Sequence, residues 1–166
     1  MCNVVLIGMP SSGKSAVGIR LAKLLGYGFI DSDLVIQGME GKRLSELIAQ
    51  YGTEGFEKIE ERVNCGLDVS RCVIATGGSA VYSDRAMKSL KQNGKIVYLK
   101  ISAETVSERI PDLVSRGVVM HGALNCVDDL YQERIPLYER YQDFTIDCNQ
   151  KTLSEIAEEI YHLLSE

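Results

Sequence analysis

The chain has 166 residues, of which 23 are acidic and 18 basic, for a formal net charge of -5 at neutral pH. That length suits one domain, residues 1–166, with core enough to be stable alone. The negative balance and the lack of any lysine- or arginine-rich run argue against a nucleic-acid partner, whose phosphates need a basic face, and with apolar runs far shorter than the ~20 residues that span a bilayer no membrane partner is expected.

In chain order, Asn3-Val4-Val5-Leu6-Ile7 is an apolar run that reads as a buried parallel strand, and Ser15 to Leu25 reads as a helix. Between them, Gly8-Met9-Pro10-Ser11-Ser12-Gly13-Lys14-Ser15 fits G-x-x-x-x-G-K-[ST] at every fixed position. A loop between strand and helix aims its backbone N–H groups, and the positive end of the helix dipole, at an anion. Glycines let the backbone approach phosphate, Lys14 supplies a point charge for the β- and γ-phosphates, and the Ser15 hydroxyl suits Mg²⁺. Gly8, Ser11, Ser12, Gly13, Lys14 and Ser15 are therefore the candidate residues for binding the phosphates of a cofactor.

Tyr27 to Asp31 reads as a short strand and Leu34 to Gly38 as a brief helical segment. Ser45 to Tyr51 and Gly55 to Asp68 read as helices, and Arg71 to Ala75 as a strand ending in Thr76-Gly77-Gly78-Ser79. Ser83 to Gln92 is predicted helical. Lys95 to Ile101 reads as a strand after an Asn93-Gly94 turn, Ala103 to Leu113 and Asp128 to Tyr141 as helices, Phe144 to Asp147 as the last strand and Leu153 to Leu164 as the last helix. Five strands alternating with helices predict an α/β fold, a five-stranded parallel sheet in a three-layer αβα sandwich, with ligands gathered at the carboxyl ends of the strands.

Asp31-Ser32-Asp33 ends the second predicted strand, and residues two apart there face the same way. One acid can hold the hydration shell of Mg²⁺ while the other orients an attacking hydroxyl; a turn or helix cap is the plain alternative. Thr76-Gly77-Gly78-Ser79 allows backbone to touch a ligand or makes a tight turn. The poorly periodic stretch from Pro111 to Asn125 reads as a mobile lid, about 112–125, in which Arg116 can offset charge on a transferring phosphoryl group. The five cysteines, Cys2, Cys65, Cys72, Cys126 and Cys148, are odd in number without a C-x-x-C pair, which suits reduced thiols. With no basic segment followed by a long apolar one at the start, a cytoplasmic protein is expected. His121 and His162 read as solvated or capping residues, and Tyr131, Tyr138 and Tyr141 as packing along one helix.

Taken together, these residues resemble the shikimate kinase family over essentially the whole chain. The resemblance implies a P-loop kinase fold, ATP and Mg²⁺ as cofactors, and a small-molecule substrate. It also implies Asp31 near Mg²⁺, Asp33 on the reacting hydroxyl, Gly77 and Gly78 beneath the substrate, and Arg116 as the lid arginine. Arg134, before Pro136-Leu137-Tyr138, is similar to the arginine that binds the substrate carboxylate, and Arg109 to the one that packs on adenine. Lys14, Asp33 and Arg116 are the expected catalytic residues.

Two departures bear on the substrate. Phe56-Glu57-Lys58-Ile59-Glu60 keeps the frame of the family's Phe-Arg-x-x-Glu but puts Glu57 where the arginine binds the carboxylate of shikimate. At ~5 Å and an effective dielectric of ~20, that exchange replaces about 3 kcal/mol of attraction with similar repulsion. Ser79 stands for the last glycine of the family's triplet, and Arg116-Gly117-Val118-Val119 for its Arg-Pro-Leu-Leu. Shikimate is the leading acceptor. Glu57 and Ser79 as substrate-binding residues also leave open an acceptor carrying an amine, such as an amino alcohol or amino sugar. A nucleotide-binding module without turnover is the other alternative, whereas the acidic helix around Glu57, Glu60 and Glu61 disfavours a nucleoside monophosphate kinase. Oligomeric state is not legible.

Overall fold

Asn3–Ile7 forms strand β1, buried along its whole length, and it lies at the centre of the sheet. An unbroken apolar run has no polar face to offer solvent, so it must sit between two helical layers. In a computed structural model that describes residues 2–110, 112, 117–122 and 126–165, it does. The other strands are β2 (Gly28–Asp31), β3 (Cys72–Ala75), β4 (Gly94–Lys100) and β5 (Phe144–Asp147), and the sheet order is β2-β3-β1-β4-β5, all parallel. The helices are α1 (Lys14–Leu25), α2 (Ser32–Glu40), α3 (Leu44–Cys65), α4 (Asp84–Gln92), α5 (Ala103–Arg109), α6 (Val127–Tyr141) and α7 (Leu153–Ser165). Register pairs Leu6 with Ala75 on one side of β1 and with Val97 on the other, so β1 and β3 end together. The strand order reverses at β1, and the crevice for ligands opens there.

One core cluster joins β1, β3 and β4 to α1, α4, α6 and α7; a smaller one, with Ile36, Leu47, Phe56, Val63 and Val119, packs α2 against α3. The predicted strands and helices are all present, with shifted ends. The two helices expected on either side of residues 52–54 run together as α3, broken by Gly52 at φ 70° and ψ 179°. Helix α5 stops at Arg109 rather than continuing to Leu113, which lies outside the described residues. Ile110 turns to φ -126° and ψ 82° because a residue before proline is driven from the helical region. The sequence reading left out a 3₁₀ turn, Ala80–Tyr82, that carries the chain from β3 to α4. Among the described residues no helix is long and apolar enough to cross a membrane.

Candidate active site

The loop after β1 adopts the backbone its glycines permit. Gly8 has φ 149° and Gly13 φ 92°, and a Cβ on Gly8 would lie 2.6 Å from the Leu99 carbonyl oxygen. Gly13 leads directly into α1, whose first N–H groups face the crevice. Lys14 is buried and folds back over the loop, its Nζ donating to the carbonyls of Gly8 and Met9 at 2.9 Å each and, more weakly, to Ser12 Oγ at 3.4 Å. Burial lowers its pKa to about 8 against the raising influence of Asp33. Arg109 donates through Nη1 to the Ser11 carbonyl at 2.8 Å, so this exposed side chain braces the outside of the loop.

Asp31 ends β2 and has two tasks. Its Oδ2 accepts from Ser15 Oγ at 2.6 Å, while Oδ1 accepts from the Asp33 and Leu34 amides and caps α2. The capping alternative is therefore what the geometry shows for one oxygen, while the other is engaged by Ser15 at the mouth of the loop. A hydroxyl beside a carboxylate is a pair of hard oxygen donors, the set that suits a magnesium ion bound through few protein ligands and several waters. No cluster of three or more His, Cys, Asp or Glu that would make a denser cage occurs among the described residues.

Asp31, Asp33, Lys14, Ser15, Gly77, Gly78, Ser79 and Arg134 line one cavity of about 400 Å³. Three strand ends are laced together at its floor: Thr76 Oγ1 donates to the Leu6 carbonyl at 2.9 Å, and the Gly77 amide donates to buried Ser32 Oγ at 3.3 Å. Burial, helped by the charge of Asp31 and opposed by Lys14, raises the Asp33 pKa to about 6. The group is ionised at neutral pH, yet close enough to titration to take up a proton. Arg134 on α6 is 1% exposed. Its Nη2 donates to the Val119 carbonyl at 2.8 Å and its Nε to Tyr82 Oη at 3.2 Å, which hold the guanidinium in one orientation. Lys14 and Arg134 are the cations of the described lining.

Glu60 is a residue that the sequence reading did not place in the site. It is 2% exposed; Ser79 Oγ donates to its Oε2 at 2.7 Å, while its Oε1 is buried without a hydrogen-bond partner. A Cβ on Gly77 would fall 2.6 Å from Glu60 Oε1 and 2.7 Å from Asp33 Oδ1, so the glycine makes room for two carboxyl groups converging on one spot. Burial, offset in part by the Ser79 hydrogen bond, lifts the Glu60 pKa to about 8, leaving it largely protonated at neutral pH. The available signal was spacing: Phe56 and Glu60 are four apart on α3 and share its buried face.

Glu57 turns elsewhere. It is absent from the lining of the 400 Å³ cavity and lines a neighbouring one of about 260 Å³ with Ser79 and Tyr82. His121 Nε2–H donates to Glu57 Oε1 at 2.5 Å and its ring stacks on Tyr82, so the expectation of a solvated or capping histidine is corrected to a half-buried, paired one. Of the expected lid, Gly117, Val118 and Val119 line the main cavity. Arg116 lies outside the described residues. The three tyrosines of α6 reach out in different directions, Tyr131 to the Ile101 carbonyl, Tyr138 to the Gly78 carbonyl and Tyr141 to Asp84.

Comparison with known proteins agrees with this geometry. A family model described as shikimate kinase matches residues 10–165. The shikimate kinase of Thermodesulfovibrio yellowstonii is 39% identical over 162 residues, which cover 96% of this chain and 93% of that protein. Among solved structures, shikimate kinase from Acinetobacter baumannii in complex with shikimate superposes with a TM-score of 0.90 at 31% identity, covering 99% of this chain and 93% of the other. The shikimate kinase of Aquifex aeolicus gives 0.85 at 30% identity, over 98% and 96%. Loop, acid pair, sheet order and near full-length likeness lead to one conclusion: the chain belongs to the shikimate kinase family, ATP-using phosphotransferases that act on small molecules.

Proposed function

We propose that this chain transfers the γ-phosphoryl group of ATP to a hydroxyl of shikimate in the cytoplasm. The observation that carries the reading is the meeting, in one cavity, of a phosphate loop, a carboxylate poised for a proton and a buried arginine. The full-length likeness to a protein solved with shikimate bound supports the choice of acceptor. Lys14 and the loop amides hold the phosphates and neutralise charge that builds on the transferred group. Asp33 orients the attacking hydroxyl and accepts its proton. Arg134, fixed between Val119 and Tyr82 with Nη1 beside Gly78, supplies the cation for the acceptor's carboxylate. Gly77 and Gly78 let the acceptor lie against backbone, Ser79 narrows that floor, and Arg109 keeps the loop in shape beside the base of the nucleotide. Arg116 is assigned to the transferring phosphate on resemblance. Ser15 and Asp31 would hold Mg²⁺, whose charge supports the phosphates during transfer. All five cysteines are free, in keeping with a reducing compartment.

A coupled ADP-release screen over shikimate, amino alcohols, amino sugars and nucleosides tests this. Shikimate-dependent ADP release, with the phosphorylated hydroxy acid identified by ³¹P NMR, is the expected result. Release with an amino alcohol or amino sugar in its place would overturn the choice of acceptor, and nucleotide binding with no transfer to any acceptor would overturn the enzymatic reading.

A further inference from the structure

Glu57 occupies a charged position beside the acceptor end, yet its carboxylate meets a side chain of this same protein. We propose that Glu57 is a positioning residue: through His121 it holds segment 117–122 against the acceptor end of the cavity. The inference rests on the phosphoryl-transfer reading for its kinetic effect, though not for the contact itself.

Segment 117–122 contributes Gly117, Val118 and Val119 to the wall of the main cavity. It is tied down at three successive residues. The Val119 carbonyl accepts from Arg134 Nη2 at 2.8 Å, the Met120 carbonyl accepts from Thr53 Oγ1 at 3.1 Å, and His121 donates to Glu57 Oε1. The first two are single hydrogen bonds to main chain; the third joins a histidine to a carboxylate, a stronger kind of hydrogen bond. His121 also lies flat on Tyr82, ring centroids 4.3 Å apart at 21°, and the Tyr82 hydroxyl accepts from Arg134 Nε while donating to Glu133. Glu57, His121, Tyr82, Arg134 and Val119 therefore form a closed circuit between α3, the 3₁₀ turn, α6 and the segment. The guanidinium that faces the acceptor is one of its links. A glutamate at position 57 suits this circuit, whereas an arginine there would meet His121 with no acceptor to offer.

The test combines acceptor kinetics with hydrogen exchange on the intact protein. In Glu57→Gln the KM for shikimate should rise about fivefold, the worth of one hydrogen bond to a carboxylate, with kcat and the KM for ATP within about twofold of the parent. His121→Asn should do the same, and the double variant should show about fivefold again rather than the product of both, because one contact is lost in each case. Amide exchange in segment 117–122 should quicken by about fivefold in each variant, on the same energetic scale. Unchanged exchange in Glu57→Gln, multiplicative effects in the double variant, or a lower shikimate KM in Glu57→Arg would overturn the proposal. A parent protein with no shikimate-dependent turnover would remove the functional reading instead, and the exchange data would still decide whether the contact holds the segment.

Discussion

The two ends of the cavity solve different problems. At the nucleotide end the loop is satisfied from within: Lys14 bonds two loop carbonyls, Ser15 bonds Asp31, Asp31 caps α2, and Arg109 braces Ser11. At the acceptor end, Glu60 is buried with one oxygen unpartnered, Asp33 converges on it across Gly77, and Arg134 is held by a carbonyl and a phenol rather than by a carboxylate. Anion recognition by main-chain groups fixes a sequence pattern, because glycine and lysine must stand at set positions. Recognition by buried side chains fixes a constellation, in which one exchange is absorbed by its neighbours: Ser79 donates to Glu60, and Glu57 finds His121.

Breaking the nucleotide end should do most harm. Lys14→Met should lower kcat/KM by about a thousandfold, as expected when a charge that stabilises the transferring group is removed. Arg134→Lys keeps the charge but loses the fork, so the shikimate KM should rise about thirtyfold with the KM for ATP unchanged. An equal rise for both substrates would show that the two ends do not divide the labour.

Acidity sharpens the comparison. Asp33, with its pKa near 6, must be ionised to take a proton, and Lys14, with its pKa near 8, must be charged to meet phosphate. The profile of kcat/KM for ATP should therefore fall below about pH 6 and above about pH 8. Stability should carry a separate signature. Glu60 rises from 4.5 to about 8 on folding, so the folded chain binds the extra proton between those values and its stability falls as pH climbs through that window. Glu60→Gln removes the slope between pH 6 and 8, where Asp33 has already ionised. Differential scanning fluorimetry across pH 5 to 8 would show the parent's Tm dropping and the variant's nearly level over the upper part. A parent Tm that rises with pH would contradict the buried, protonated glutamate.

What was legible in the sequence follows the same division. The parallel sheet, the phosphate loop and the acid pair could be read because strand hydrophobicity, glycine spacing and a strand-end Asp-x-Asp are local signals, and the structure places each of these at the crevice. Glu60 was read with its neighbours as part of an acidic helix, since nothing local tells a solvated glutamate from one folded under Ser79 and Gly77. His121 looked isolated because its partner lies 64 residues away. Helix α5 ends earlier than its periodicity suggests, because Ile110 precedes a proline and leaves the helical region.

Asp33→Asn tests the central claim most directly, with turnover on shikimate and calorimetric affinity for ADP with magnesium measured on the same preparation. The account predicts that nucleotide affinity stays within about twofold while kcat falls on the order of a thousandfold, the scale of losing a proton acceptor. A kcat within tenfold of the parent would contradict it, because the carboxylate that faces Lys14 across the cavity would then have no part in moving the proton.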